Sequence, residues 1–163
     1  MIMLITPNLP SGYSIFCEDI RHEVNGARSL IGVYGPVITA PRIDDNPVIL
    51  SRLAIENVIR LDNQILPESC ILRVIFETNS FVETELARGD FEFDHKNLPP
   101  AQISEFAKRD GTGAQAQLMS QIQIANVLIP ESGRIKVRLS YGDDVIALGS
   151  LLVNIVTPEN PAT

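Results

Sequence analysis

The chain has 163 residues, 45% hydrophobic and 20% charged, which fits one globular domain with a sizeable core and excludes wholesale disorder. Thirteen Lys and Arg against twenty Asp and Glu leave a formal net charge of −7. A general nucleic-acid binder or an anionic-membrane dock would need the opposite balance, and with no Trp, six Phe and three Tyr the core must rest on Ile, Leu and Val.

The N-terminal run Met1–Thr6 has no basic segment and gives way to Pro7 and Pro10, so it does not read as a secretory signal. The longest apolar runs, Val127–Ile129 and Ala147–Val153, are strand-sized, far from the roughly 20 residues that span a bilayer. Two cysteines, Cys17 and Cys70, are too few for a disulfide framework. Both sit in apolar, β-prone runs, so buried free thiols are expected, with a reducing cytoplasm as the implied compartment. A Cys17–Cys70 bridge stays open if their strands are neighbours.

Tyr13–Gly35 predicts a hairpin. Asn25-Gly26 lies between two β-prone runs and supplies the positive φ angles of a two-residue type I′ turn. Counting outward from that turn puts Val24 opposite Ala27, Glu23 opposite Arg28 and Ile20 opposite Ile31. Pro36, Pro41 and Pro47 then punctuate an irregular link. Residues 48–61 fit a helical face (Leu50, Leu53, Ala54, Val58, Leu61) and also period 2 (Leu53, Ile55, Ile59, Leu61). Strand is the reading taken, because the flanking segments are strands. Ser69–Thr78 is a further strand with Leu72, Val74 and Phe76 on one face.

Phe81–Leu86 and Asp90–Asp94 alternate as two short strands joined by a turn at Arg88-Gly89. Pro99-Pro100 opens the one predicted helix, over about residues 100–109, with Ile103, Phe106 and Ala107 on its apolar face and Gly111 past its end. Gln115–Val127 reads as a long strand carrying Leu118, Ile122 and Ile124. After a turn at Pro130–Gly133, Arg134–Tyr141 alternates strictly: Ile135, Val137, Leu139 and Tyr141 inward, Arg134, Lys136, Arg138 and Ser140 outward. Gly142–Asp144 turns the chain into a mostly buried strand, Val145–Val156, and residues 158–163 form a frayed tail. Residues 1–157 thus form a single all-β domain, an antiparallel β-sandwich of about eight or nine strands with one short helix.

The stretch FCEDIRHEVNGARSLIGVYG (Phe16–Gly35) resembles the opening hairpin of a family of small uncharacterised bacterial and phage proteins. Phe16, Cys17, Asp19, Ile20, Arg21, Glu23, Gly26, Leu30, Ile31, Gly32, Tyr34 and Gly35 carry the match, while Glu18 and Ala27 depart from it. The resemblance covers about twenty residues. It implies an immunoglobulin-like form of the sandwich and a microbial or viral source, virion-associated if from a phage, and it implies no activity.

The inventory for catalysis is poor. The two histidines, His22 and His95, lack partners at metal-ligand spacing, and both read as solvated side chains. No nucleophile elbow, phosphate loop or Cys-x-x-Cys occurs, and Gly111-Thr-Gly113 follows a helix where a dinucleotide loop would precede one. Cys17 and His22, five residues apart on an extended strand, would stand roughly 16–17 Å apart and on opposite faces. No catalytic or cofactor-binding residue is assigned, and no cofactor is expected.

One charge pattern stands out. Asp90, Glu92 and Asp94 share a face, and Glu83 and Glu85 repeat it on the preceding strand. Three readings follow: a calcium site formed by Glu83, Glu85, Asp90, Glu92 and Asp94, an ion ladder with the basic stripe Arg134, Lys136 and Arg138, or a patch for a basic partner. No loop supplies calcium-binding Asp-x-Asp-x-Asp-Gly chemistry, so solvation or internal pairing is the plainer reading. Ten Arg against three Lys is compatible with an association surface. The expected function is a non-enzymatic binding module for a protein partner. The alternatives are a structural or accessory component of a phage or bacterial assembly, as a homo-oligomer if so, and an enzyme with an unrecognised site.

Overall fold

The computed structural model describes residues 10–62, 67–93 and 115–157. The expected helix at 100–109, the residues Asp94 and His95, the Gly111–Gly113 exit and the tail lie outside the described residues. The described residues form ten strands: β1 (Ser11–Cys17), β2 (Asp19–His22), β3 (Arg28–Ile31), β4 (Val37–Pro41), β5 (Val48–Asp62), β6 (Ser69–Thr78), β7 (Glu83–Glu92), β8 (Gln115–Ile129), β9 (Gly133–Tyr141) and β10 (Asp144–Val156). They make a three-stranded sheet, β1-β5-β8, a five-stranded sheet, β4-β10-β9-β6-β7, and the two-stranded ribbon β2-β3.

Period-2 patterning explains why the two larger sheets close on each other. Leu53, Ile55, Ile59 and Leu61 of β5 are fully buried against Leu72, Val74 and Phe76 of β6 and Ile135, Val137 and Leu139 of β9. Each such side chain contributes about 1.5–3 kcal/mol by leaving water, so the facing rows hold the β-sandwich together. The inward row of β5 is interrupted by Asn57, which is fully buried and accepts a 2.6 Å hydrogen bond from Ser14 Oγ. Ser14, Asn57 and Ser120 pair across all three strands of the smaller sheet, so a polar row crosses an otherwise apolar core.

The β2-β3 ribbon lies over the outer face of the smaller sheet and gives β5 a second buried face. Cys17, Ile20 and Ala54 form a small apolar cluster there with Leu30 beside it. His22 Nε2 lies 2.9 Å from Gln121 Oε1, and Gln123 Nε2 donates to the Ile20 carbonyl at 3.3 Å. Arg28 reaches Glu56, buried on that outer face, at 3.2 Å.

Four expectations need correction. The ribbon closes with a three-residue loop rather than a two-residue one: Glu23 N donates to Ala27 O at 2.9 Å and Gly26 N to Glu23 O at 3.0 Å. Among residues 24–26 only Gly26 has a positive φ, 78°, whereas a type I′ turn needs two. Asn25 instead uses its side-chain oxygen to accept from Ala27 N at 2.9 Å. The register therefore slips by one, so that Ile20 faces Leu30 and His22 faces Arg28. Arg28 is released from Glu23 to pair with Glu56, and Ser29 Oγ donates to Glu23 instead, at 2.6 Å.

Second, Arg88-Gly89 is no turn but the middle of β7, which runs unbroken from Glu83 to Glu92. The phase change read as a turn is a β-bulge: the register with β6 shifts between Val74 and Ile75, opposite Ala87 and Glu85. Third, β10 alternates rather than being mostly buried. Leu148, Leu151 and Val153 are buried while Val145, Ala147, Ser150 and Leu152 face water, with a register shift between Ala147 and Gly149. Fourth, the link after the hairpin contains β4, which pairs parallel to β10, so the sheets are not wholly antiparallel. The strands at 48–61, 69–78, 115–127 and 134–141 form as expected.

Candidate functional site

Strands β4, β6, β8 and β10 end, and β5, β7 and β9 begin, at one pole of the sandwich. Connections 42–47, 79–82 and 130–132 gather there. Recognition on a rigid sandwich is usually carried by such loops. The β6–β7 turn is the unusual one. Thr78 N donates to Val82 O and Phe81 N to Thr78 O, both at 3.0 Å. This is the same three-residue loop that closes β2-β3, and Phe81 occupies the place Gly26 holds there.

Phe81 has φ 63°, a left-handed conformation that glycine adopts freely. For a residue with a Cβ it costs about 1–2 kcal/mol, and a bulky side chain there is a true outlier. Nothing repays that cost by burial, since the ring is 83% exposed. The turn is nonetheless held firmly. Thr78 Oγ1 accepts from Val82 N at 3.2 Å, and Asn79 N donates to Ser132 O at 3.2 Å. Ser132 Oγ in turn accepts from Ile155 N at 2.9 Å, and the Arg42 guanidinium donates to the Pro130 carbonyl. The three connections and the end of β10 are thereby tied into one piece.

Around Phe81 the pole is apolar and unpartnered among the described residues. Val82 beside the ring and Ile43 on the neighbouring connection are exposed. A depression of about 200 Å³ lies beside the ring, bounded by Thr78, Asn79, Gly133, Arg134 and Leu152. An exposed aromatic anchor beside a small depression, which Glu77 and Arg134 make partly polar, is the kind of feature that carries most binding energy in protein interfaces. Sequence reasoning missed it by taking Phe81 as the first residue of a strand. The available signal was Asn79-Ser80 with no glycine to follow.

The expected charge stripes are both present, but on one continuous outer face. β6 separates β7 from β9, and its own Glu77 and Arg73 interleave with the stripes. Lys136 pairs with Glu77, Arg138 with Glu83 at 2.8 Å, Arg73 with Glu85 at 3.5 Å and Arg88 with Asp90 at 2.8 Å. Of the calcium candidates, Glu83, Glu85, Asp90 and Glu92 are strung along one strand rather than converging, and Asp94 lies outside the described residues. Among the described residues no three acidic, His or Cys side chains come together as a metal site.

Hydrogen bonds from Lys136 hold the Glu77 carboxyl below its usual range, and those from Arg88 do the same for Asp90. Carboxyls lowered in the fold add stability above their unfolded values of about 4, and that stability is lost as pH falls through the lower folded values. Denaturant midpoints are therefore expected to stay level from neutral pH to about 5 and to fall below about 4. The part of the loss due to Asp90 should shrink in high salt, because the Arg88–Asp90 pair is exposed, whereas Lys136–Glu77 is half-buried and less screened.

The cysteines and histidine that could have suggested nucleophilic chemistry are kept apart. Both thiols are free and buried. Burial pushes Cys70 up to about 11 and raises Cys17, whose Sγ donates to the Ala54 carbonyl at 3.6 Å. His22 points instead to Gln121. Native protein at pH 8 is expected to resist a thiol-reactive chromophore and to release two thiols only in denaturant; rapid native labelling of either would show an accessible thiolate. No helix among the described residues is long and apolar enough to cross a membrane.

A scan against protein-family models returned no match, and a search of curated proteins returned none either. The functional reading rests on the geometry above.

Proposed function

We propose that this chain is a non-enzymatic interaction module, an immunoglobulin-like sandwich that offers its loop pole to a protein partner through Phe81. The observation that carries the reading is an aromatic ring held in water by a backbone conformation glycine would adopt more cheaply. A residue that costs stability and gains no burial has its use outside the fold. The immunoglobulin-like reading is supported by strand order: β1-β5-β8 against β4-β10-β9-β6-β7, with one early strand divided between the sheets and its second part parallel to the last strand. The β2-β3 ribbon is then an insertion between those two parts.

Buried thiols of raised pKa and carboxylates already engaged by arginines support a binding role over catalysis. The resemblance of Phe16–Gly35 to small bacterial and phage proteins supports a microbial or viral source, and two free thiols suit a reducing compartment. The test is paired affinity capture from the native host with wild-type chain and Phe81→Gly as baits, read by quantitative mass spectrometry. A protein held by the first and lost from the second is expected. Identical sets of captured proteins would remove the pole from the account.

A further inference from the structure

The two larger sheets have four edges, and unpaired edge strands invite pairing with another chain unless something blunts them. Three are blunted. β4 has only five residues and is bracketed by Pro36 and Pro41. β7 carries Glu83, Glu85, Arg88, Asp90 and Glu92 within ten residues. β1 is abutted by β10 of the other sheet so closely that a Cβ on Gly12 would lie 2.9 Å from Leu148 Cδ2, and one on Gly149 3.1 Å from Ser14 Cβ.

The fourth edge, β8, is longer, and although it touches β7 of the other sheet it carries no charge or proline to blunt it. Its fifteen residues, QAQLMSQIQIANVLI, contain no charge, no proline and no glycine. One side pairs with β5 along nearly its whole length. Among the described residues nothing pairs with the other side. The strand runs straight to Ala125, after which Asn126, at φ 55°, turns the buried face from even to odd positions.

We propose that the free edge of β8 pairs antiparallel with β8 of a second copy of this chain, giving a two-fold dimer with one continuous six-stranded sheet. Charge selects the occupant. Two chains of net charge −7 repel, and an uncharged fifteen-residue edge is where they meet without opposing like charges. A strongly charged partner would find no complement there. The side chains are also their own complements. Gln117, Gln121 and Gln123 form the outward row; Gln121 faces His22 and Gln123 donates to the Ile20 carbonyl within the chain, which leaves the Gln117 amide and the Gln123 oxygen to pair with the second copy. Centring the two-fold on Ser120, the middle of the straight run, sets Leu118 opposite Ile122 of the second copy on the inner face. It sets Gln117 opposite Gln123 on the outer face. Such an isologous contact closes on itself and does not propagate into a fibre. The proposal does not depend on Phe81.

Light scattering coupled to size exclusion at micromolar concentration should read twice the 17.9 kDa chain mass for wild type. Gln117→Lys with Gln123→Lys opposes like charges across the axis at two exposed positions, and should halve the mass with an unchanged circular dichroism spectrum. Gln117→Lys with Gln123→Glu alternates the charges and should restore the dimer. A monomeric wild type, or a dimer that persists in the double-lysine variant, would overturn the proposal. So would a dimer whose cross-links map to an edge other than β8.

Discussion

Phe81→Gly is expected to make the protein more stable and, at the same time, unable to hold its partner. Relieving the left-handed strain is worth about 1–2 kcal/mol, and glycine gives back roughly 0.5–1 kcal/mol by loosening the unfolded chain. The ring is almost wholly in water, so little burial is lost with it. A net gain of up to about 1.5 kcal/mol should raise the melting midpoint by up to about 6 °C. Removing a central aromatic anchor costs an interface about 2 kcal/mol or more, roughly a thirtyfold or greater loss of affinity. Phe81→Ala separates the two effects: it keeps the strain and loses the ring, so binding should fall while the midpoint stays near wild type. Few positions combine a stabilising change with a loss of binding, and that combination marks a residue retained for recognition. A destabilised Phe81→Gly, seen in a denaturant titration, would mean that the ring supports the turn and that its exposure is incidental.

The strands were legible wherever one buried face kept its phase. Arg134–Tyr141 alternates without interruption, and Ser69–Thr78 does so but for Ile75, buried between Val74 and Phe76, because each lies inside a sheet with one side on the core. Long β5 was legible only through its neighbours. Covered by the second sheet on one face and the β2-β3 ribbon on the other, it buries Ala54, Glu56 and Val58 as well as Leu53 and Ile55, and so imitates a helical stripe. The misplaced turn in β7 and the slipped register of the first ribbon share one cause. A single extra residue inverts every later side chain, and a turn and a bulge both produce that inversion. In β7 the shift opposite Val74 and Ile75 was read as a hairpin at Arg88-Gly89. In the first ribbon the same ambiguity separated a two-residue loop from a three-residue loop, and with it Glu23–Arg28 from Arg28–Glu56. Phe81 was hidden for a related reason. Its left-handed conformation follows from the closing pair Thr78–Val82, and pairing across a turn cannot be read from the turn's own residues. The charge ladder was half visible, since the two stripes have period 2 in the sequence, but the interleaving Arg73 and Glu77 belong to a strand between them.

Gly133→Ala is expected to cost several kilocalories per mole and to release the loop pole from the sheet beneath it. A Cβ at Gly133 would sit 2.7 Å from Cζ of the buried Phe76 and closer still to the Glu77 carbonyl oxygen. The ring could rotate only into packed neighbours, and the carbonyl belongs to the backbone of β6, so the strands themselves must part. Overpacking of a core typically costs about 1–3 kcal/mol, and parting Thr78 from Gly133 adds the loss of main-chain pairing at the root of the Phe81 turn. A loss of about 3 kcal/mol or more is therefore expected in equilibrium denaturation. Two companion glycines give the scale. Gly26, at φ 78° with open space around it, should cost only about 1 kcal/mol as alanine, through conformation alone. Gly35, with open space and no positive φ, should be neutral or slightly stabilising, by at most about 1 kcal/mol, through the unfolded chain. The order Gly133, Gly26, Gly35 separates steric exclusion from backbone strain and both from entropy. Because Asn79 hangs from Ser132, next to Gly133, the first substitution should also weaken partner binding in the fraction that stays folded. Equal losses at all three positions would mean that β6 and β9 yield to a methyl group, and that the turn is not fixed from below.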